Sequence, residues 1–102
     1  MSESTIVADE ADIEPGSAKR FEVNGRKIAV FNLEGEFFAI ADTCTHEEAS
    51  LSEGAVYGDE VECPLHGACF KIKTGEVTCP PAVSDVESFV VEVDNGKVKV
   101  LV

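Results

Sequence analysis

Two short stretches decide how this sequence folds, Cys44-Thr45-His46 and Cys63-Pro64-Leu65-His66. Each stretch supplies one thiolate and one imidazole, and sixteen residues separate them. The chain has only two histidines, and both lie within three positions of a cysteine. Thiolate and imidazole are ligands that suit zinc and iron–sulfur centres. We therefore expect Cys44, His46, Cys63 and His66 to hold one metal centre.

The spacing distinguishes between the metal centres that this ligand set can form. A Cys2His2 zinc site uses the same four ligands, but it more often pairs C-x2-C with H-x3-5-H. Here each pair mixes one cysteine with one histidine, and a catalytic Cys–His dyad would need one pair rather than two. Two thiolates on one iron and two imidazoles on the other give a Rieske [2Fe–2S] centre. The pattern favours that centre, with a zinc-stabilised interaction domain as an alternative.

The residues around the ligands extend the match. C-T-H and C-P-L-H-G are followed by F-K-I-K-T-G-E-V and by Pro80-Pro81. In this pattern, which covers residues 40–82 closely, the chain resembles the Rieske family. The resemblance implies an all-β Rieske-like fold in one domain, residues 1–102, whose base is an antiparallel β-sandwich or barrel. It also implies an inserted cluster-binding subdomain at about residues 43–82, which holds one [2Fe–2S] cluster per chain.

Short alternating segments between turn signals also predict an all-β fold without any resemblance. Asn24-Gly25 is a strong hairpin signal, because both residues tolerate positive φ. Phe38 and Ile40 should share one face of their strand, with Phe37 and Ala39 on the other. We expect one helical turn at Glu47 to Ser50. The predicted strands are Thr5–Ala8, Lys19–Val23, Lys27–Leu33, Glu36–Ala41, Ala55–Tyr57, Glu60–Glu62, Cys69–Lys73, Glu76–Cys79, Val86–Val93 and Lys97–Val102.

Composition limits the cellular setting and the partners. The net charge of −12, from 20 acidic and 8 basic residues, argues against binding nucleic acid or anionic lipid. No segment approaches the roughly 18 apolar residues of a membrane span, and the acidic N-terminus does not resemble a signal peptide. Four cysteines with a metal motif indicate a reducing compartment. We expect a cytoplasmic monomer that does not associate with membranes.

The acidic residues are unevenly distributed. No Lys or Arg occurs from Ile28 to Phe70, and an acidic face there would steer basic partners towards the metal centre. A merely solvated surface is the alternative. The nine acids of this span are Glu34, Glu36, Asp42, Glu47, Glu48, Glu53, Asp59, Glu60 and Glu62.

Departures from the high-potential Rieske pattern predict a low reduction potential. Those relatives resemble C-T-H-L-G-C and C-P-C-H-G-S-x-Y, where the second cysteine of each segment forms a disulfide. This chain has Ala49 and Leu65 at those positions, and Ala68 and Phe70 replace the Ser and Tyr that donate hydroxyl hydrogen bonds. Without those donors, and with many carboxylates nearby, the potential should lie near the low end of the Rieske range, about −150 mV.

These features together resemble the ferredoxin component of bacterial aromatic-ring-hydroxylating dioxygenase systems. The resemblance implies a soluble one-electron carrier, not an enzyme, between an NAD(P)H-dependent flavoprotein ferredoxin reductase and a terminal oxygenase. A Rieske-type small subunit of a reductase, such as nitrite reductase, is the main alternative.

Two further cysteines, Cys69 and Cys79, lie five residues either side of Thr74. A hairpin centred there places them opposite each other, and we expect both to be reduced thiols.

Overall fold

Ten β-strands account for most of the structure, a computed structural model that describes residues 4–44, 49–65, 67–80, 82 and 84–101. Two one-turn 3-10 helices, Glu10–Asp12 and Leu51–Glu53, are the only helical segments in these ranges. The prediction of an all-β fold is therefore confirmed. The strands are β1 Ser4–Asp9, β2 Ala18–Val23, β3 Arg26–Leu33, β4 Glu36–Ala41, β5 Ala55–Tyr57, β6 Glu60–Glu62, β7 Cys69–Lys71, β8 Val77–Cys79, β9 Ser88–Asp94 and β10 Lys97–Leu101.

The strands form two antiparallel sheets. The larger sheet has the order β1-β10-β9-β4-β3-β2 and curves into a nearly closed barrel. The smaller sheet has the order β5-β6-β7-β8, and its four strands come between β4 and β9 along the chain. Both cysteine-containing stretches thus belong to the segment inserted between two neighbouring strands of the barrel.

Strands β3 and β4 are buried on both faces because each face packs into a different apolar core. Phe38 and Ile40 belong to the core shared with the smaller sheet, which we call the inter-sheet core. Phe37 and Ala39 belong to the core inside the barrel. The predicted division of β4 into two faces is confirmed. The side chains of β3 divide between the same two cores, which explains why all five residues from 28 to 32 are buried.

Tight turns set the register of the barrel hairpins. Asn24 and Gly25 have φ angles of 52° and 79°, as a two-residue type I′ turn requires. This turn pairs Val23 with Arg26 and fixes the β2–β3 ladder. The predicted Asn24-Gly25 turn is confirmed.

The predicted bounds were wrong in a few places. Strands β7 and β8 stop short of Thr74. The Lys71 carbonyl accepts a hydrogen bond from the Gly75 N–H, and the Lys71 N–H donates to the Glu76 carbonyl, so these bonds close a wider loop. Strand β9 begins at Ser88 rather than Val86. The helical turn predicted at Glu47 to Ser50 falls partly outside the described residues, and the 3-10 turn begins at Leu51. Within the described ranges, no helix has the length and apolar character to cross a membrane.

Candidate metal centre

The first ligand loop is closed at its base by hydrogen bonds on both sides of Cys44. The Cys44 N–H donates to the Ala49 carbonyl at 3.0 Å, and Thr43 forms a β-bridge with Ser50. The Leu51 N–H donates to the Asp42 carbonyl at 2.7 Å. These bonds hold Cys44 at a fixed position where β4 ends and the loop begins.

The second ligand loop is closed in the same way. The Cys63 N–H donates to the Ala68 carbonyl at 2.7 Å, and the Gly67 N–H donates to the Cys63 carbonyl at 3.2 Å. Gly67 has a φ of 77°, a left-handed conformation that glycine adopts without steric cost. The loop therefore turns sharply between β6 and β7, with Cys63 at its base.

The two cysteines that we predict to be ligands are buried in the same apolar core. Cys44 is 3% exposed and Cys63 is 2% exposed, and both belong to the inter-sheet core. Leu65, only two residues after Cys63, is 58% exposed. Each loop thus begins inside the protein, and the second one reaches the surface within two residues. Two soft thiol donors, buried in one core at the bases of two loops, fit an iron–sulfur cluster held through its sulfur-ligated iron.

The structure describes only part of the predicted site. It brings Cys44 and Cys63 together in one core, whereas His46, His66, Glu47, Glu48 and Pro81 lie outside the described residues. Ala68 and Phe70, the residues at the hydroxyl positions of high-potential relatives, are fully buried in the same core.

Asp42 is a structural residue of this site that sequence reasoning misplaced. It was counted among the surface acids, but it is 1% exposed. Its carboxylate accepts hydrogen bonds from the Ser50 hydroxyl at 2.6 Å and from the Ser52 N–H at 2.9 Å. A buried carboxylate persists when such donors satisfy it. The serines either side of Leu51 were the available sequence signal.

Comparison with known proteins agrees with this geometry. The family model of the Rieske [2Fe-2S] domain matches residues 3–90. The chain is 45% identical over 89 residues to the 3-phenylpropionate/cinnamic acid dioxygenase ferredoxin subunit of Escherichia coli strain K12, covering 86% of this chain and 83% of that protein. It is 39% identical over 87 residues to the ferredoxin component of the naphthalene 1,2-dioxygenase/salicylate 5-hydroxylase systems of a Ralstonia species, covering 85% and 84%.

Solved structures give the same result. A complex of reduced oxygenase and oxidized ferredoxin in carbazole 1,9a-dioxygenase contains a chain that matches with a TM-score of 0.90 and 39% identity, covering 96% of this chain and 92% of that one. A putative nitrite reductase small subunit from Mycobacterium tuberculosis matches with a TM-score of 0.89 but only 22% identity, which shows a shared fold alone. The similarity to ferredoxins, at higher sequence identity, is therefore the one that supports an inference about function.

An all-β fold of two sheets with two thiols buried in the core between them fits an iron–sulfur protein. The chain belongs to the Rieske [2Fe–2S] family. Its cofactor is a Rieske [2Fe–2S] cluster, and its role is electron transfer rather than catalysis. The predicted family, fold class and cofactor are confirmed.

Proposed function

We propose that this protein carries single electrons from a flavoprotein reductase to the terminal oxygenase of a ring-hydroxylating dioxygenase system. The observation that carries the proposal is the match, over more than four fifths of both chains, to proteins named as ferredoxins of such systems. Cys44 and His46 from the first loop, with Cys63 and His66 from the second, would hold the cluster. The bound cluster supplies one-electron chemistry.

The residues around the cluster divide between burial and exposure. The thiols lie in the inter-sheet core, which excludes water from the sulfur side, whereas Pro64 and Leu65, which precede His66 in the sequence, are exposed. We infer that the histidine side faces the partner protein. Residues 43–82 would act as the cluster-binding subdomain, and the barrel would serve as the rigid base for its two loops. The protein would act as a cytoplasmic monomer.

The test is a reconstituted oxygenase assay with the reductase and oxygenase from the same host. Product formation from NAD(P)H should require this protein and should be abolished when Cys44→Ser replaces it. Undiminished hydroxylation in its absence would contradict the proposal. A stable one-to-one complex with a reductase subunit that survives gel filtration would instead favour the nitrite reductase alternative.

Hydroxyl groups introduced beside the buried thiols should raise the reduction potential. We expect Ala68→Ser and Phe70→Tyr each to shift it upward by tens of millivolts. The reason is that a hydroxyl donor favours the more negative reduced cluster, and about 59 mV corresponds to 1.4 kcal/mol for one electron. Protein-film voltammetry measures the shift. Ala39→Ser is the matched control, because Ala39 is buried in the barrel core instead. Equal potentials in all four proteins would refute the hydrogen-bond explanation.

Acidic residues in the first ligand loop should accelerate docking. Reversing Glu47 and Glu48 to lysine should slow association with the oxygenase severalfold at low ionic strength and weaken its salt dependence. Stopped-flow mixing over a range of salt concentrations measures both effects. The matched control reverses Glu10 and Glu92, which are exposed and outside the ligand loops, with the same change in net charge. Salt-independent transfer would favour a solvated acidic surface, leaving Leu65 and Pro80 as an apolar docking contact.

A further inference from the structure

A second group of metal-ligating side chains lies outside the Rieske ligands. Cys69 on β7 and Cys79 on β8 are directly opposite each other in the antiparallel ladder, as the sequence predicted. The carboxylate of Glu60, on β6, lies next to both. One ligand atom from each of these three residues lies within 4.8 Å of the other two. We call this group the dithiol–carboxylate cluster. It is the one group of its kind among the residues that the structure describes.

An irregularity in the smaller sheet produces this convergence. Phe70 pairs with Val77 rather than Thr78, so the register shifts immediately after the Cys69–Cys79 pair. The bulged Thr78 donates its hydroxyl hydrogen bond to Glu60 Oε1 at 2.5 Å, which turns the carboxylate towards the cysteines. Bulges typically re-aim side chains in this way next to functional sites.

The dithiol–carboxylate cluster is partly shielded yet accessible. Glu60, Cys69 and Cys79 are each half-buried on the outward face of the smaller sheet. Their neighbours on the inward face, Val61 and Phe70, are fully buried in the inter-sheet core. A rigid apolar layer therefore supports the three ligands from behind, while an ion can reach them from solvent.

The local electrostatics oppose thiolate formation without a cation. Burial, followed by the hydrogen bond with Cys79 and the charges of Cys79, Glu62 and Glu60, together raise the pKa of the Cys69 thiol to about 12. A thiol that stays protonated at neutral pH is a slow nucleophile, so Cys69 is poorly suited to disulfide exchange. A divalent cation reverses the balance, because it neutralises the negative charge that three adjacent acidic ligands would otherwise accumulate.

We propose that Cys69, Cys79 and Glu60 form a binding site for a thiophilic divalent cation of the zinc type, separate from the Rieske cluster. Two thiolates and one carboxylate make up three protein ligands, and water completes a tetrahedral set. Binding releases the thiol protons to solvent and involves no change of oxidation state. The Glu60 carboxylate favours a bound cation over a Cys69–Cys79 disulfide, because a third anionic ligand stabilises a cation but not a disulfide.

The test uses cluster-loaded, thiol-reduced protein titrated anaerobically with Cd²⁺, a spectroscopic probe for zinc-type thiolate sites. We expect one equivalent to bind, with a sulfur-to-cadmium charge-transfer band in the ultraviolet and release of about two protons. Cys79→Ser should abolish most of the band, and Glu60→Gln should weaken binding by at least about tenfold. Glu76→Gln is the matched control. Glu76 is exposed, its Oε1 lies 3.7 Å from Lys71 Nζ, and it is not one of the three residues of the dithiol–carboxylate cluster.

Three results would overturn the proposal. The first is an unchanged band and affinity in Cys79→Ser and Glu60→Gln. The second is loss of the visible Rieske absorption in step with cadmium binding, which would place the ion on Cys44 and Cys63. The third is a mass two hydrogens low that maps to Cys69 and Cys79 in freshly prepared protein. If Cys79→Ser fails to assemble the cluster, Glu60→Gln against Glu76→Gln decides the question alone.

Discussion

Replacing Cys44 or Cys63 by serine should remove the normal Rieske cluster, with iron and sulfide falling to near zero per chain. Both thiols are almost completely buried in the inter-sheet core. A serine hydroxyl is a hard, weakly acidic donor that cannot replace a soft thiolate on iron. Because metal binding contributes directly to folding, the free energy of unfolding should also fall by several kcal/mol. His66→Ala should have the same effect on the cluster.

Analysis of iron and acid-labile sulfide, together with the visible spectrum, measures this loss. Cys79→Ser is the matched control, since Cys79 is half-buried on the outward face of the smaller sheet and does not belong to the inter-sheet core. It should retain full iron and sulfide. A Cys44→Ser protein with an intact cluster would show that the ligand assignment is wrong.

The second large effect is expected at Gly75, in the loop that joins β7 to β8. Gly75 has a φ of 80°, and a methyl group built on it would collide with the Val86 carbonyl oxygen. The Val86 N–H also donates to the Gly75 carbonyl at 2.9 Å, which fixes the close approach. Gly75→Ala should therefore lower the free energy of unfolding by roughly 2–5 kcal/mol, from left-handed strain plus overpacking.

Gly25 provides an unusually close control for that experiment. Its φ of 79° is almost the same, but nothing lies within 4 Å of a methyl group built on it. Gly25→Ala should thus lose only the cost of left-handed strain, about 1–2 kcal/mol. Urea unfolding of the cluster-loaded variants, followed by circular dichroism, compares the two. Equal losses of stability would show that contact with Val86 does not constrain the loop.

Much of the fold was predictable because short alternating segments and turn residues act locally. Asn24-Gly25 specified a hairpin, and the two-residue period of a strand placed Phe38 and Ile40 on one face and Phe37 and Ala39 on the other. The bounds of β7 and β8 were less predictable, because the hydrogen bonds of Lys71 with Gly75 and Glu76 close a loop wider than the sequence indicates. Strand ends depend on such local choices, which residue type alone does not fix.

The family and its cofactor were predictable for a different reason, and the four-residue ligand set stays a prediction. Few other sites share the spacing of Cys44, His46, Cys63 and His66. The spacing therefore indicated the type of metal centre before the fold was known. The burial of Asp42 was not predictable, because an acidic residue in an acid-rich segment is expected at the surface until its hydrogen-bond donors are known. Glu60 was missed as a partner of Cys69 and Cys79, since a bulged neighbour turns its carboxylate towards them.

Pulsed electron paramagnetic resonance of the reduced protein, prepared with ¹⁵N-labelled histidine, tests the central claim most directly. The proposed ligand set predicts one Rieske-type spin per chain, with strong couplings from two histidine nitrogens directly bound to iron. His66→Ala should remove the spin or change those couplings. A spectrum without histidine nitrogen coupling, or a colourless protein with stoichiometric zinc and no paramagnetic signal, would contradict the account.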